Sequence, residues 1–349
     1  IEGLPNGEAA FCLKLHHSIA DGQATVMMAL SLFELAPEGN PDEPLPPEPP
    51  IAKDADAADV FMANTTDNLA KLRGAAEESA RALFGLAKGT LEDPVGTWRT
   101  AFGSLASLGR VASMPEDAMS PLMRGRGTTY TFGTFTLPFA GLRAAAKDRG
   151  MNVNDAFMAA VALGMAEYHS AHGSVAEYLR VNVPISLRGD AGDRSAKESN
   201  SVSIARFPLP IAGLTSDELM HSAHELVAQW KAEPAIGMAD PLAEVSWLVP
   251  MPMLTSAARA SDLTTSNVPG PPIPLYLAGV KMLLAFPLVA TIGAAVNITM
   301  VTYDGTACLG ISTDDRAVGD PDVLLDCLRS GFAAVTGAPV APGDRYAGE

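Results

Sequence analysis

The order of strand-like and helix-like segments beyond residue 128 restricts the fold more than any other feature of this sequence. Short segments rich in β-branched or aromatic residues predict strands at Thr128–Leu137, Arg180–Ser186, Ser201–Phe207, Leu263–Val268, Val280–Leu284, Ala294–Tyr303 and Thr306–Asp314. Apolar periodicity predicts helices at Gly141–Arg149, Ala156–Ser170, Thr215–Lys231 and Asp320–Gly331. Because these segments lack a regular strand–helix–strand alternation, we predict an α+β layered fold with a mixed or largely antiparallel sheet.

The start of the chain predicts a strand that is followed by a helix. Phe11–Leu15 has the length and flanks of a strand, and the turn dipeptide Asn6-Gly7 predicts a hairpin with Ile1–Leu4 as its partner. The apolar spacing within Gln23–Leu35 predicts a helix. Beyond a Pro-rich linker, the Ala-rich residues 51–110 predict two or three amphipathic helices, punctuated by Gly89, Pro94 and Gly96.

Charge and cysteine content exclude several classes of function. With 24 Lys and Arg against 40 Asp and Glu, the 349-residue chain has a formal net charge of −16, so its surface would repel a nucleic-acid backbone. The three cysteines form no CxxC pair and the histidines show no zinc-protease spacing, so we expect no metal. No run reaches the roughly 18 apolar residues of a membrane span. We expect a cytoplasmic protein.

One seven-residue motif carries chemistry. His16-His17-x-x-x-Asp21-Gly22 stands at a predicted strand-to-helix junction, where a side chain can be held at the mouth of a cleft. A neutral imidazole there can take a proton from an alcohol or a thiol. Asp21 either orients the imidazole or pairs with a distant Arg, and Gly22 lets the backbone turn into the helix.

The other histidines have simpler explanations. His169 and His172 are three residues apart at a helix end, and His221 and His224 have the same spacing on an amphipathic helix. We interpret all four as solvated side chains. Arg124 and Arg126, in a Gly-spaced loop, are interpreted as solvated too, with contact to CoA phosphates as the alternative.

With four later segments, the motif resembles the bacterial wax ester synthase/diacylglycerol acyltransferase family, within the wider HHxxxDG group of CoA-dependent acyltransferases. These segments are Asn154-Asp155-Ala156-Phe157-Met158-Ala159, Val183-Pro184-Ile185-Ser186-Leu187-Arg188, Ser266-Asn267-Val268-Pro269-Gly270-Pro271 and Val301-Thr302-Tyr303-Asp304-Gly305. The order holds from Ile1 to about Val335. The resemblance implies a chloramphenicol acetyltransferase-like fold of two subdomains, the first represented by residues 1–110 and the second by residues 120–349.

The resemblance also implies a reaction and roles for individual residues. His17 would be the general base that deprotonates an acceptor hydroxyl, which then attacks acyl-CoA without an acyl-enzyme intermediate. His16 would pack beneath the site, while Asp21 would fix the turn through an Arg, for which Arg188 is one candidate. Asn267 or Ser266 would stabilise the oxyanion. Acyl-CoA is a co-substrate, and we expect no bound cofactor.

Two points stay open at the level of sequence. Asn152 and Asp155 have the spacing of a helix capping box, so Asn154 and Asp155 either only start the helix or also line the site. The small residues of the following helix suit a buried core, or else leave room for an acyl chain.

The resemblance extends to partners and to alternatives. The family's first portion precedes the motif strand and is not in this sequence, so we expect a separate N-terminal fragment of the same protein to complete the fold. The acceptor would be diacylglycerol or a fatty alcohol, which implies peripheral contact with a membrane or lipid droplet. The alternatives are a condensation-type enzyme that acts on carrier-bound substrates, and an inactive lipid-binding fragment.

Overall fold

A computed structural model describes residues 1–15, 28, 30–39, 56–93, 95–96, 117–186, 202–233, 255–256, 258–341 and 345–346. After a 3-10 turn at Pro5–Gly7, the helices are α1 (Ala57–Glu92), α2 (Phe139–Asp148), α3 (Val153–Ala171), α4 (Ser216–Lys231) and α5 (Pro321–Thr336). The strands are β1 (Tyr130–Pro138), β2 (Tyr178–Ser186), β3 (Val202–Pro210), β4 (Leu263–Val268), β5 (Tyr276–Leu277), β6 (Val280–Lys281), β7 (Val296–Tyr303), β8 (Thr306–Asp314) and β9 (Arg345–Tyr346).

The strands form a mixed sheet in the order β3-β2-β4-β7-β8-β1-β9, and β5 and β6 form a separate hairpin. The pairs β2–β4 and β4–β7 are parallel, whereas the remaining pairs of the sheet are antiparallel. Asp304 (φ 42°) and Gly305 (φ 81°) form the predicted turn between β7 and β8, as expected for an Asp-Gly hairpin. The predicted mixed sheet is therefore confirmed.

The sheet splits between β2 and β4. These strands pair only at Val181–Leu263 and Asn182–Thr264. Beyond that point β2 continues alongside β3 as far as Ser186, while β4 continues alongside β7 as far as Val268. The carboxyl-terminal half of β4 is consequently paired with only one described strand.

One face of the sheet packs against helices α3 and α5, and the two helices cross at glycines. A Cβ on Gly331 would press against the Ala160 carbonyl oxygen and lie 2.6 Å from the Gly164 nitrogen, and a Cβ on Gly164 would lie 2.7 Å from the Leu328 Cα. Side chains on α3 are buried around nearly its whole circumference. The core interpretation of this helix is therefore confirmed, and at this crossing the space beside Gly164 is filled by the α5 backbone.

The other face of the sheet, called the outer face below, is polar in its middle. Strand register places Asn182, Thr264, Asn297 and Ser312 in one row across β2, β4, β7 and β8. Asn297 and Ser312 are buried beneath a segment whose Pro287 carbonyl lies where a Cβ on Gly310 would stand. Only a glycine at position 310 allows that segment to approach β8 so closely.

Most predicted elements beyond residue 128 are confirmed within a few residues, including both capped helix starts. Asn152 caps α3 through a capping box with Asp155, and Thr215 caps α4 through one with Glu218. The predicted strand Val280–Leu284 is shorter than expected, since only Val280 and Lys281 pair, with β5.

The predictions for the first 110 residues were less accurate. Phe11–Leu15 is not a strand, because no described residue donates or accepts a backbone hydrogen bond with it. The turn at Asn6-Gly7 does form, and Ile1 and Ala10 exchange backbone hydrogen bonds of 2.8 Å across it. The helix predicted to reach Leu35 gives way to a turn after Leu30.

Residues 57–92 form one helix, α1, and the prediction of further helices up to residue 110 falls mostly outside the described residues. Gly74, Gly85 and Gly89 are accommodated within it, because an internal glycine costs only about 1 kcal/mol relative to alanine. The helix ends at Glu92, shortly before Pro94, as a following proline favours.

We predict that Gly331→Ala lowers the free energy of unfolding by about 1–3 kcal/mol, because the added methyl group overpacks the α3–α5 crossing. Gly141→Ala on α2 is the matched control. A Cβ there meets only Thr336 atoms at 3.8 Å or more, so this change should stabilise the protein by up to about 1 kcal/mol. Urea unfolding of both variants measures the difference, and equal stabilities would contradict the close crossing.

Candidate functional site

The motif histidines, His16 and His17, together with Asp21, Gly22 and Arg188, lie outside the described residues. The roles that the sequence predicts for them stay predictions. The structure does describe the segments on either side of the motif and four of the other candidates, Asn154, Asp155, Ser266 and Asn267.

The segments that flank the motif are in contact with each other and with the second part of the chain. The rings of Phe11 and Phe33 meet edge to face, with centroids 6.4 Å apart. Glu34 then pairs with Tyr276, and their two backbone hydrogen bonds measure 2.8 and 2.9 Å. The region around the motif is thereby joined to the β5–β6 hairpin.

Three polar contacts hold this hairpin against the end of β7. The Tyr303 hydroxyl accepts a hydrogen bond from the Leu275 N–H and donates one to the Met282 carbonyl, each 2.9 Å long. Lys281 lies 3.7 Å from the Asp304 carboxylate. Ala278 and Gly279 have positive φ angles of 49° and 80°, which form the tight turn at the tip of the hairpin.

Ser266 and Asn267 lie near the end of β4, but on opposite faces of the sheet. Because side chains alternate along a strand, Asn267 shares the helix-packed face with the core residue Leu263, while Ser266 lies on the outer face. Both residues are half-buried. They therefore cannot line the same side of the sheet, and each is a candidate for a different surface.

Asp155 is a buried carboxylate at the start of α3. Its Oδ2 accepts hydrogen bonds from the Asn152 N–H (3.0 Å) and from Nδ1 of His224 (2.9 Å). Its Oδ1 is buried and has no partner among the described residues. Asn154 is half-buried, and among the described residues its amide reaches only the Met158 sulfur, at 3.5 Å. Asp155 thus has a structural role, whereas Asn154 makes little contribution to the packing.

These four candidates lie at one end of the layered unit. Helix α3 connects to β2 through a short turn, so it runs back along the sheet and its first residues lie near the carboxyl end of β2. Strand β4 is parallel to β2, so Ser266 and Asn267 lie at that same end. In open sheets with parallel strands, ligands bind outside the carboxyl ends of those strands.

A polar cluster that the sequence did not predict lies at the opposite end. The buried Asp262 carboxylate accepts backbone N–H groups of Met119, Ser120 and Arg180 at 2.8–3.1 Å. The Ser120 hydroxyl lies 2.8 Å from Nε2 of His169, whose Nδ1 donates to the Met165 carbonyl. His169 is therefore buried, and our interpretation of it as solvated was wrong. Burial lowers its pKa below the usual value.

His172 is exposed, as predicted, although it has an acidic partner, whereas Arg126 differs from its predicted solvated state. Nε2 of His172 lies 2.7 Å from the Asp320 carboxylate, which also accepts the Tyr168 hydroxyl. Hydrogen bonds to the Tyr168 carbonyl and to Asp320 raise the pKa of His172. The Arg126 guanidinium is half-buried and donates to the carbonyls of Gly293, Met123, Gly125 and Ser261. It therefore fixes a loop and is not free to bind phosphate.

Two family models match the chain in succession. The wax ester synthase/diacylglycerol acyltransferase catalytic domain matches residues 1–157, and the WS/DGAT C-terminal domain matches residues 198–336. The chain belongs to the wax ester synthase/diacylglycerol acyltransferase (WS/DGAT) family. The first match contains the complete HHxxxDG motif, and the second contains the Ser266–Pro271 segment.

Relatives and a solved structure agree with this assignment. Two Mycobacterium tuberculosis proteins, each provisionally named a diacylglycerol O-acyltransferase, are 26% identical to this WS/DGAT chain. The match to the first covers 99% of this chain and 70% of the relative. The match to the second covers 95% of this chain and 71% of the relative. The wax ester synthase/diacylglycerol acyltransferase from Marinobacter aquaeolei VT8 is 19% identical and superposes with a TM-score of 0.55, over 93% of this chain and 66% of that chain. The predicted acyltransferase fold is confirmed.

We predict that substitutions at the start of α3 separate a structural residue from a site residue. Asp155→Ala should lower the free energy of unfolding by about 1–2 kcal/mol, because it removes half of the capping box and leaves the Asn152 N–H without its partner. Asn154→Ala should change stability by less than about 0.5 kcal/mol, because its side chain is neither a member of the capping box nor buried in the core. Chemical unfolding tests both, and equal losses would contradict the distinction.

Proposed function

We propose that this WS/DGAT chain transfers a long-chain acyl group from acyl-CoA to the hydroxyl of diacylglycerol, of a fatty alcohol, or of both. The observation that carries the proposal is the complete motif His16-His17-x-x-x-Asp21-Gly22 within the match to the family's catalytic domain. The polar residues at the carboxyl end of β4 give further support, because they offer groups that can contact a carbonyl under attack.

The chemistry needs one base and one anion-stabilising group. His17 takes the proton of the acceptor hydroxyl while the oxygen attacks the thioester carbonyl. The tetrahedral intermediate collapses, the carbon–sulfur bond breaks, and His17 returns the proton to the CoA thiolate. No side chain forms a bond with the acyl group, so no nucleophilic Ser or Cys is required.

The oxyanion of the intermediate requires a hydrogen-bond donor aimed at it. Asn267, with an amide, and Ser266, with a hydroxyl, are both chemically suited, but only one of them can do so because they lie on opposite faces of β4. Asn154 is a third polar side chain at this end. We assign Asn154, Asp155, Ser266 and Asn267 to the substrate-binding end, with Asp155 acting through the helix start.

The remaining motif residues position the base. His16 packs beneath the site, Gly22 allows the turn into the next helix, and Asp21 fixes that turn through an arginine, for which Arg188 is the candidate. These roles follow from the resemblance to the HHxxxDG group. Substitution of His16 or Asp21 by Ala would then act mainly through stability, as a lower melting temperature.

We further propose that the functional unit includes an N-terminal polypeptide of the same protein and makes peripheral contact with lipid. The chain spans 70% of the first relatives, and apolar side chains near the motif and on the hairpin are exposed, among them Phe11, Leu35, Val280 and Leu283. None of the helices within the described ranges is long and apolar enough to cross a membrane. The two subdomains are proposed to comprise residues 1–110 and 120–349.

His17→Ala should reduce turnover by about 10²–10⁴-fold, the usual contribution of general acid–base catalysis, and leave the melting temperature unchanged. The control is His221→Ala. His221 is exposed on α4, and its Nδ1 contacts a carbonyl of its own helix. A radiolabelled acyl-transfer assay measures both variants, and near-normal turnover by the His17 variant would defeat the mechanism.

A comparison of donors and acceptors separates this proposal from its alternatives. Palmitoyl-CoA should support transfer to diacylglycerol or to a long-chain alcohol in the absence of carrier protein. Turnover of carrier thioester alone would instead identify a condensation-type enzyme. Mass spectrometry of the purified protein should show a co-purifying N-terminal polypeptide, whereas its absence together with poor solubility would favour an inactive fragment.

A further inference from the structure

Two arginines lie next to each other on the outer face of the sheet, beside the two residue pairs that join β2 to β4. Arg206 on β3 pairs in register with Asn182 on β2, and Arg180 lies two residues earlier on β2. Their strand neighbours Val181, Ala205 and Phe207 belong to the helix-packed core. By alternation along each strand, the two arginine side chains therefore share the outer face.

Polar contacts hold both guanidinium groups in place without neutralising them. Nε of Arg206 donates to Asn182 Oδ1 at 3.1 Å, and the Ser261 hydroxyl donates to the same oxygen. Nη1 of Arg180 donates to the carbonyls of Asp117 and Ala260. Within the described part of the chain, no carboxylate lies within ion-pair distance of either arginine.

The surroundings of Arg206 destabilise its positive charge. Burial lowers the pKa of Arg206, and the positive charge of Arg180 lowers it further. An anion bound between them would remove the repulsion and replace the lost hydration. The Nη1 and Nη2 groups of Arg206 have no partner among the described residues and are available to it.

Ser266 lies on the same outer face as these arginines. Thr264 shares a row with Asn182 and Arg206, and Ser266 is the next outer-face residue along β4. From strand spacing and rise per residue, about 12 Å separates the backbones of Arg206 and Ser266. A ligand anchored at the arginines can therefore extend along the split toward the carboxyl end of β4.

We propose that Arg206 and Arg180 bind a phosphate group of the acyl-CoA donor, with its thioester directed toward Ser266. This assignment rests on the proposed function. The guanidinium group is planar and can donate two parallel hydrogen bonds, a geometry that matches phosphate oxygens. The neutral side chains of Asn182, Thr264 and Ser266 suit the uncharged amides of the pantetheine arm that follows the phosphates. Arg206 is a binding residue and takes no part in proton transfer.

The test is equilibrium binding without turnover, by titration calorimetry of the purified full chain with CoA, 3′-dephospho-CoA and pantetheine. Arg206→Gln should weaken CoA binding by about tenfold or more, in line with the loss of charged hydrogen bonds, and should leave pantetheine binding unchanged. The same substitution should also flatten the dependence of CoA affinity on salt concentration.

The matched control is Arg143→Gln. Arg143 is exposed on α2, away from the split, so this variant should bind CoA like the unmodified chain. Arg206→Lys keeps the positive charge but not the planar group with two parallel donors, and should give an intermediate loss of CoA affinity. It is also the variant to measure if Arg206→Gln does not fold.

Three results would overturn the assignment. The first is equal CoA affinity in the Arg206 variants and the unmodified chain. The second is an equal loss for CoA and pantetheine, which would indicate a structural effect. The third is Arg206-dependent binding of phosphatidic acid vesicles with none of CoA, which would identify a lipid headgroup as the ligand. A chain that binds CoA through Arg206 but transfers no acyl group supports the assignment and contradicts only the proposed function.

Discussion

The buried residue Asp262 connects more of this fold than any single apolar contact. Its carboxylate accepts three backbone N–H groups, from Met119, Ser120 and Arg180. Its own N–H donates to the Arg180 carbonyl, and its carbonyl accepts from Ala295 and Val296. One residue thereby joins the loop before β1 to β2, to β4 and to β7. A carboxylate is stable at such depth because these hydrogen bonds replace its hydration.

This connection explains why β2 and β4 can separate beyond Thr264 without loss of the sheet. The two strands are joined firmly at their first residues, where Asp262 lies, and only two residue pairs follow. Each strand then keeps one described neighbour, β3 or β7. The resulting gap begins just beyond the level of Arg206 and lies beside the polar candidates, whereas Arg180 lies at the joined end. The connected end thus stabilises the unit, and the split end presents polar groups.

The elements that the sequence predicts correctly are those whose signals lie within a few neighbouring residues. Capping boxes at Asn152 and Thr215 and the turn at Asp304-Gly305 are encoded within a few residues, so the elements around them were predicted correctly. Phe11–Leu15 was predicted wrongly because a strand depends on its partner, which no short window contains. His169, Arg126 and Asp262 were misjudged or missed because their partners are distant in the sequence. The β4 candidates Ser266 and Asn267 were found only through resemblance to a family, since polar residues on a strand carry no periodic signal.

The contact between Glu34 and Tyr276 has a consequence for synthesis of the chain. Glu34 leaves the ribosome well before the hairpin that pairs with it, because Tyr276 lies much later in the sequence. Such a non-local pairing forms late, because a long loop must close before the hydrogen bonds can compensate for the lost entropy. Until then the backbone of the segment after the motif lacks this partner, and the segment carries the side chains of Leu32 and Leu35, which stay exposed after folding. Nascent chains of this protein therefore keep an unpaired, partly apolar segment until the hairpin has been made.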